Sequence, residues 1–122
     1  MRALFDTNII IDYLRGILKA KTELSKYDSK AISIITKIEI LSGITNQEVE
    51  IQVKRFLDTF EIYPVTEEIS EIAVDLRRKK VLKIPDAIIW ATAKANNLLL
   101  VTRDSKDFPA NLPEIRVPYK LK

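Results

Sequence analysis

Four acidic residues fall where a predicted strand gives way to a turn or where a predicted helix begins. In an open α/β sheet, ligands bind in the crevice at the carboxyl ends of the strands, and parallel strands end at the same edge. We therefore expect these carboxylates to share one crevice. Carboxylate oxygens without histidine or cysteine partners are typical ligands of Mg²⁺ or Mn²⁺. The four residues are Asp6, Glu39, Asp86 and Asp104.

Each of the four also has a purely structural interpretation. Asp6 can cap the helix that follows it, and Glu39 completes a capping-box pattern that begins at Thr36. Asp86 is a favoured acid for a first helical turn, and Asp104 fits a turn or cap. Taken singly, each structural role is the more common one. Four such residues at one edge of a sheet favour a metal site.

The chain of 122 residues contains no histidine and no cysteine. This composition excludes Ser-His-Asp and Cys-His catalysis, disulfides and the usual zinc ligands. With only two glycines, a glycine-rich phosphate loop is excluded as well. An enzyme of this composition must use carboxylates, hydroxyls, amides, lysine, arginine or a hard metal ion. The net charge of +3 permits a nucleic-acid partner without requiring one.

The length predicts a single domain over residues 1–122. Hydrophobic residues make up 47% of the chain and charged residues 30%, as in ordinary soluble proteins. No apolar run reaches the ~18 residues of a membrane span, and no signal peptide is visible. We therefore expect a cytoplasmic protein that has no membrane partner.

Strand and helix patterns alternate along the chain, and the strand segments are apolar on both faces. This pattern predicts the α/β class, with a parallel sheet covered by helices on both sides. Pro64 in the third strand segment indicates a sheet edge. The predicted strands are 2–5, 30–35, 62–65, 98–102 and 115–117. The predicted helices are 8–14, 17–26, 36–45, one from Asn46 to about residue 60, one from Thr66 to the basic run near residue 80, and 85–97.

Three sequence blocks resemble the PIN-domain nucleases, and within them the VapC-type toxins of prokaryotic toxin–antitoxin pairs. The blocks are FDTNIIIDYLRG, SIITKIEILSG and IPDAIIWATAKANNLLLVTRDSKDF, in that order between Leu4 and Phe108. The resemblance implies a three-layer α/β/α PIN-like domain with a mostly parallel sheet of four or five strands in the order 3-2-1-4-5. Its positions match the family's four acidic residues to Asp6, Glu39, Asp86 and Asp104, and the supporting polar residues to Asn8 and Thr102.

The resemblance further implies a Mg²⁺- or Mn²⁺-dependent endoribonuclease whose cleavage leaves a 5′-phosphate and a 3′-hydroxyl. The implied partners are a structured RNA such as tRNA or rRNA, a second copy in a homodimer, and a cognate antitoxin that occludes the acidic pocket. Ser105 is a weaker match to the site. Asp12 and Asp107 recur in similar sequences. We interpret Asp12 as a helix-face residue and Asp107 as structural.

A run of cations precedes Asp86, and it has two interpretations. It can be a solvated helix end, which the helix dipole favours. It can also be a rim that binds RNA phosphates beside the acidic pocket. The run consists of Arg77, Arg78, Lys79, Lys80 and Lys83.

Other classes of protein compete with the nuclease interpretation. A phosphoacceptor receiver domain needs an Asp at the end of a central strand, whereas the middle predicted strands end near Thr36 and Val65. A haloacid-dehalogenase-type phosphatase needs a second Asp two residues after the first, where this chain has Asn8. A non-catalytic PIN module that binds RNA or protein, and a PIN nuclease that processes RNA, both stay open.

Overall fold

The computed structural model describes residues 2–121, and this part of the chain contains five strands and six helices. The predicted α/β class is confirmed, and the element bounds differ from the predicted ones by a few residues. The strands are β1 (Arg2–Phe5), β2 (Ser29–Ser33), β3 (Glu61–Tyr63), β4 (Leu99–Val101) and β5 (Ile115–Arg116). The helices are α1 (Thr7–Leu14), α2 (Leu18–Leu24), α3 (Ile34–Ser42), α4 (Gln47–Leu57), α5 (Glu67–Lys79) and α6 (Ile84–Ala95).

The strands form one sheet in the order β3-β2-β1-β4-β5, and every pairing in it is parallel. This order confirms the one that the resemblance implied. It also makes β3 an edge strand, as Pro64 predicted. The chain order reverses beside β1, which pairs with β2 on one side and with β4 on the other. A sheet of this kind has its ligand crevice at that switch point, beyond the carboxyl ends of β1 and β4.

Alternate residues of β1 point to opposite faces of the sheet, and helices cover both faces. Leu4 packs with Trp90 of α6 in one core cluster. Phe5 packs with Ile10 of α1 and Leu57 of α4 in the other. Within residues 2–121, none of the helices is both long and apolar enough to cross a membrane. The two clusters confirm the three-layer α/β/α arrangement.

The junction between β2 and α3 differs from the sequence prediction. The strand ends at Ser33 and the helix begins at Ile34, with the Ile35 amide donating to Ser33 Oγ at 3.1 Å. The predicted capping box from Thr36 to Glu39 is therefore wrong. Periodicity cannot separate a buried strand from the start of a buried helix, and for this reason the predicted strand 30–35 extends two residues beyond Ser33. With Ser33 as the cap, the side chains of Thr36 and Glu39 are available for other contacts.

Gly16 follows α1 with a φ of +81°, and a Cβ there would meet no atom within 4 Å. The substitution Gly16→Ala would therefore act through backbone conformation alone. We expect it to lower the free energy of unfolding, measured in urea, by about 1 kcal/mol. The control is Gly43→Ala, because Gly43 has a φ of −85° and should tolerate a methyl group. Equal losses in the two variants would contradict this account of Gly16.

Candidate active site

Asp6 is buried at the carboxyl end of β1, with a relative exposure of 4%. Its Oδ1 atom accepts a hydrogen bond of 2.7 Å from the Thr7 amide. Its Oδ2 atom accepts hydrogen bonds from Thr102 Oγ1 at 2.7 Å and from Asn8 Nδ2 at 3.2 Å. Asp6 thus has the predicted N-cap position, and its carboxylate also reaches the end of β4. All three donors are uncharged, so they orient the carboxylate without neutralising it.

The electrostatic environment of Asp6 disfavours its charged form. Burial raises the pKa of Asp6 from 3.8 to about 6, although hydrogen bonds from Thr102 and Thr7 act in the opposite direction. The negative charges of Asp86 and Glu39 raise this pKa further. This mutual influence means that the carboxylates of Asp6, Glu39 and Asp86 lie close enough to repel one another. A cation placed among them would relieve that repulsion.

Three carboxylates form a compact group beside Asp6. Asp86, Asp104 and Asp107 each offer one oxygen, and these oxygens lie within 4.8 Å of one another. Asp86 lies in the first turn of α6, and the described chain shows no hydrogen bond to its carboxylate. Asp104 Oδ1 accepts hydrogen bonds from the amides of Lys106 at 3.0 Å and Asp107 at 3.1 Å. Asp104 therefore has its predicted turn role and still has Oδ2 available.

The environment of Asp86 also disfavours its charged form. Its pKa is raised by burial, and then by the negative charges of Asp107, Asp104 and Glu39, while Lys83 acts in the opposite direction. Asp86 thus connects the group of three with Asp6 and Glu39, because its negative charge interacts with those of all four other acids. We call the resulting set the acidic crevice. Its members are Asp6, Glu39, Asp86, Asp104 and Asp107.

Three members of the acidic crevice fit a hard divalent cation, and this group does not include Asp6 or Glu39. Oxygens on opposite sides of an octahedral Mg²⁺ ion lie roughly 4.2 Å apart, and the three oxygens of Asp86, Asp104 and Asp107 lie within 4.8 Å of one another. Small rotations of these side chains would bring them to ligand distance. Our interpretation of Asp107 as structural is incomplete, because its carboxylate belongs to this group.

Glu39 is held by a hydroxyl pair that the sequence analysis did not include in the site. Thr7 Oγ1 donates to Glu39 Oε1 at 2.7 Å and lies 2.9 Å from Thr36 Oγ1. Because the single proton of Thr7 points to Glu39, Thr36 must be the donor in the second contact. The position of Thr7 between Asp6 and Asn8 in the sequence could have indicated that Thr7 belongs to the site. The role of Thr36 was hidden by the incorrect capping box.

Asn8 and Thr102, which the resemblance matches to supporting polar residues, both donate to Asp6, and their other polar atoms are engaged within the protein. Asn8 Oδ1 accepts from the Arg103 amide at 3.1 Å, and Thr102 Oγ1 accepts from the Asp104 amide at 3.0 Å. Ser105 is exposed. These contacts tie the segment after β4 to α1 through Asn8 and to Asp6 through Thr102.

A buried ion pair also fixes the segment that follows β4. Asp12 is 1% exposed and accepts two hydrogen bonds from Arg103, from Nε at 2.7 Å and from Nη2 at 3.1 Å. Tyr119 donates a third from its hydroxyl at 2.9 Å. Asp12 therefore lies on the buried face of α1. It holds the side chain of the residue between Thr102 and Asp104.

The predicted basic rim divides into two parts. Lys79 Nζ pairs with Asp75 of the same helix at 3.0 Å, as expected of a solvated helix end. Three other cations line a cleft that reaches Asp107, and Lys106 joins them there. These three are Arg77, Lys80 and Lys83.

A parallel five-stranded α/β/α domain with an acidic crevice at its switch point defines the class of this protein, and comparison with known proteins defines its family. Residues 3–111 match the family described as PIN domain. Ribonuclease VapC1 of Methanocaldococcus jannaschii is 34% identical over 113 residues, which cover 88% of this chain and 79% of the relative. Ribonuclease VapC10 of Mycobacterium tuberculosis is 32% identical over 124 residues, covering 95% and 92%.

Solved structures agree with the sequence comparison. One chain of a toxin–antitoxin complex from Klebsiella pneumoniae matches with a TM-score of 0.91 and 42% sequence identity, over 98% of this chain and 99% of that chain. The present chain belongs to the PIN-domain family.

The raised pKa of Asp6 predicts a pH-dependent effect of Asp6→Asn on stability without metal. A folded-state pKa of about 6, above the ordinary 3.8, gives a contribution to stability that is full below about pH 4 and is lost as the pH rises through about 6. Asparagine is neutral throughout. In EDTA we therefore expect Asp6→Asn to exceed wild type by about 1–2 kcal/mol at pH 8 and to show no such gain at pH 4.

Urea unfolding at the two pH values measures this effect. The control is Asp58→Asn, because Asp58 is exposed at the end of α4, at the opposite edge of the sheet, and should show no comparable gain. An Asp6→Asn protein that is less stable than wild type at both pH values would show that the capping role of Asp6 dominates.

Proposed function

We propose that this chain is the toxin of a toxin–antitoxin pair and acts as a Mg²⁺- or Mn²⁺-dependent endoribonuclease. The observation that carries the proposal is the group of three carboxylate oxygens within 4.8 Å of one another, coupled to the buried Asp6. Two relatives are named as VapC ribonucleases, and a similar structure comes from a toxin–antitoxin complex. These similarities support both the RNase activity and the toxin role.

Asp86, Asp104 and Asp107 would hold the ion, with Asp6 and Glu39 completing the site on the side of β1 and α3. A bound Mg²⁺ or Mn²⁺ ion lowers the pKa of a bound water and neutralises charge that develops on the phosphate oxygens. That chemistry suits a chain that has no histidine to serve as an acid or base. It would leave a 5′-phosphate and a 3′-hydroxyl.

The remaining polar residues act by fixing the carboxylates. Thr7, Asn8 and Thr102 hold both oxygens of Asp6 through three hydrogen bonds, so its orientation is set before any substrate binds. Thr7 also occupies Oε1 of Glu39 and leaves Oε2 to accept a proton from an attacking water. Preorganisation of this kind lowers the reorganisation that the reaction requires.

The proposed substrate is a structured RNA such as tRNA or rRNA, cleaved in the cytoplasm by a homodimer. An unrestrained RNase would damage the cell that makes it, so the proposal includes a cognate antitoxin that covers the acidic crevice. An arginine of that partner could enter the crevice and pair with two carboxylate oxygens at once. Such a pair would satisfy the same negative charge that a metal ion satisfies.

The test of this proposal compares wild type with Asp86→Asn on total RNA in Mg²⁺. We expect wild type to give discrete cuts that EDTA abolishes, and Asp86→Asn to lower the cleavage rate by about 100-fold or more, since it removes a ligand oxygen. The control Asp58→Asn removes an acidic residue far from the crevice and should cleave like wild type.

Expression from a tightly controlled promoter extends the test to the cell. Growth arrest by wild type but not by Asp86→Asn, relieved by co-expression of a small protein encoded next to this gene, would support a toxin with its antitoxin. RNA cleavage without growth arrest would indicate an RNA-processing nuclease. The absence of any metal-dependent cleavage would leave only a binding module.

A further inference from the structure

A basic cleft lies beside the acidic crevice. Its volume is about 800 Å³, and it opens between the connection from α5 to α6 and the segment that follows β4. We call it the basic cleft. Its four cations are Arg77, Lys80, Lys83 and Lys106.

The basic cleft and the acidic crevice meet at Asp107. The Asp107 side chain lines the cleft, and its carboxylate belongs to the group with Asp86 and Asp104. Lys83 directly precedes α6, whose first turn carries Asp86. A polyanion bound in the cleft would therefore extend directly to the carboxylates of the crevice.

The four cations of the basic cleft form no close ion pair within the described residues. Within the described residues, none of the four cations has a carboxylate oxygen within 4.0 Å, whereas Lys79 on the neighbouring turn is paired with Asp75 at 3.0 Å. Arg77 Nε donates to the Leu82 carbonyl at 3.0 Å, which fixes the guanidinium and leaves its charge uncompensated. Lys80 Nζ lies 5.6 Å from the centre of the Trp90 ring, a contact that also preserves its charge.

We propose that the basic cleft binds backbone phosphates of the RNA strand on one side of the bond that is cut. This inference rests on the proposed function and names the part of the chain that holds the substrate. Phosphates are the anions that must lie next to a cleavage site for RNA, and four unpaired cations next to the acidic crevice supply an electrostatic complement. The apolar lining from Val81, Leu82 and Pro109 offers no hydrogen bond through its side chains.

We expect the cleft to contribute affinity and register through phosphate contacts, and not to read bases through stacking or amide side chains. Its lining contains no aromatic side chain on which a base could stack and no amide side chain that could read a base edge. The cations of this cleft are not the same set as the continuous basic run in the sequence. Lys106, which lies outside that run, belongs to the cleft, whereas Arg78 and Lys79 do not line it.

The test removes two charges from the basic cleft with the double variant Lys80→Gln and Lys106→Gln. The control is Lys19→Gln with Lys21→Gln, which removes two exposed charges from α2. Binding to a labelled single-stranded RNA is measured by fluorescence anisotropy across a salt series. The Asp86→Asn background and EDTA are used together to prevent cleavage during the measurement.

We expect the cleft variant to bind about 10-fold more weakly at low salt and the control to bind normally. Two lost phosphate contacts should reduce the slope of log K against log salt concentration by about 1.4, equally for RNAs of different sequence. In the cleavage-competent protein the same double variant should raise KM and leave kcat unchanged, because it removes binding that is equally strong in the ground state and the transition state.

The RNA-binding measurement stays informative if the wild-type protein cleaves no RNA. Failure of the proposed nuclease activity and failure of the proposed phosphate binding are therefore distinguishable. Unchanged RNA affinity and salt slope in the cleft variant would overturn the inference. Weaker binding of an acidic antitoxin segment with unchanged RNA affinity would overturn it too, and would assign the cleft to the protein partner. A loss confined to one RNA sequence would contradict phosphate recognition.

Discussion

The burial of one negative charge at the end of β1 is the constraint on which the site depends. Asp6 is 4% exposed, and its carboxylate receives only uncharged donors. Burying a carboxylate is unfavourable unless hydrogen bonds and an opposite charge compensate it. The protein supplies the hydrogen bonds through Thr7, Asn8 and Thr102. It supplies no charged hydrogen-bond donor, because the Arg103 guanidinium is paired with Asp12, and the nearby carboxylates of Glu39 and Asp86 make that deficit larger.

The same protein neutralises its other buried carboxylates, so the deficit at Asp6 is local. Glu23 is 2% exposed, and although burial acts to raise its pKa, hydrogen bonds from Arg116 and Tyr27 hold that pKa at about 2. Asp12 receives an equivalent pair of contacts from Arg103, together with a tyrosine hydroxyl. The buried acids with an arginine partner are thus compensated within the protein. Among the described residues, Asp6 is the buried acid without an arginine partner, and it lies in the acidic crevice, where an external cation can meet it.

The fold and the main acidic positions could be predicted because they follow from short-range patterns. Alternating strands and helices indicate a parallel sheet, and such a sheet brings the residues that follow its strands to one edge. Thr36 and Asp107 could not be assigned in this way. The role of Thr36 depends on the end of β2 at Ser33, a boundary that periodicity does not resolve. The position of Asp107 depends on the turn that Asp104 makes through its own carboxylate.

The most direct test of this account is the carboxyl titration of Asp6, followed by ¹³C NMR with and without Mg²⁺. The account predicts that Asp6 titrates near pH 6 in EDTA, in line with its pKa of about 6. It also predicts that Mg²⁺ moves this pKa downward, because a bound cation favours the ionised form. An Asp6 that titrates near its ordinary value of 3.8 and does not respond to Mg²⁺ would contradict the central claim of an uncompensated charge prepared for a metal ion.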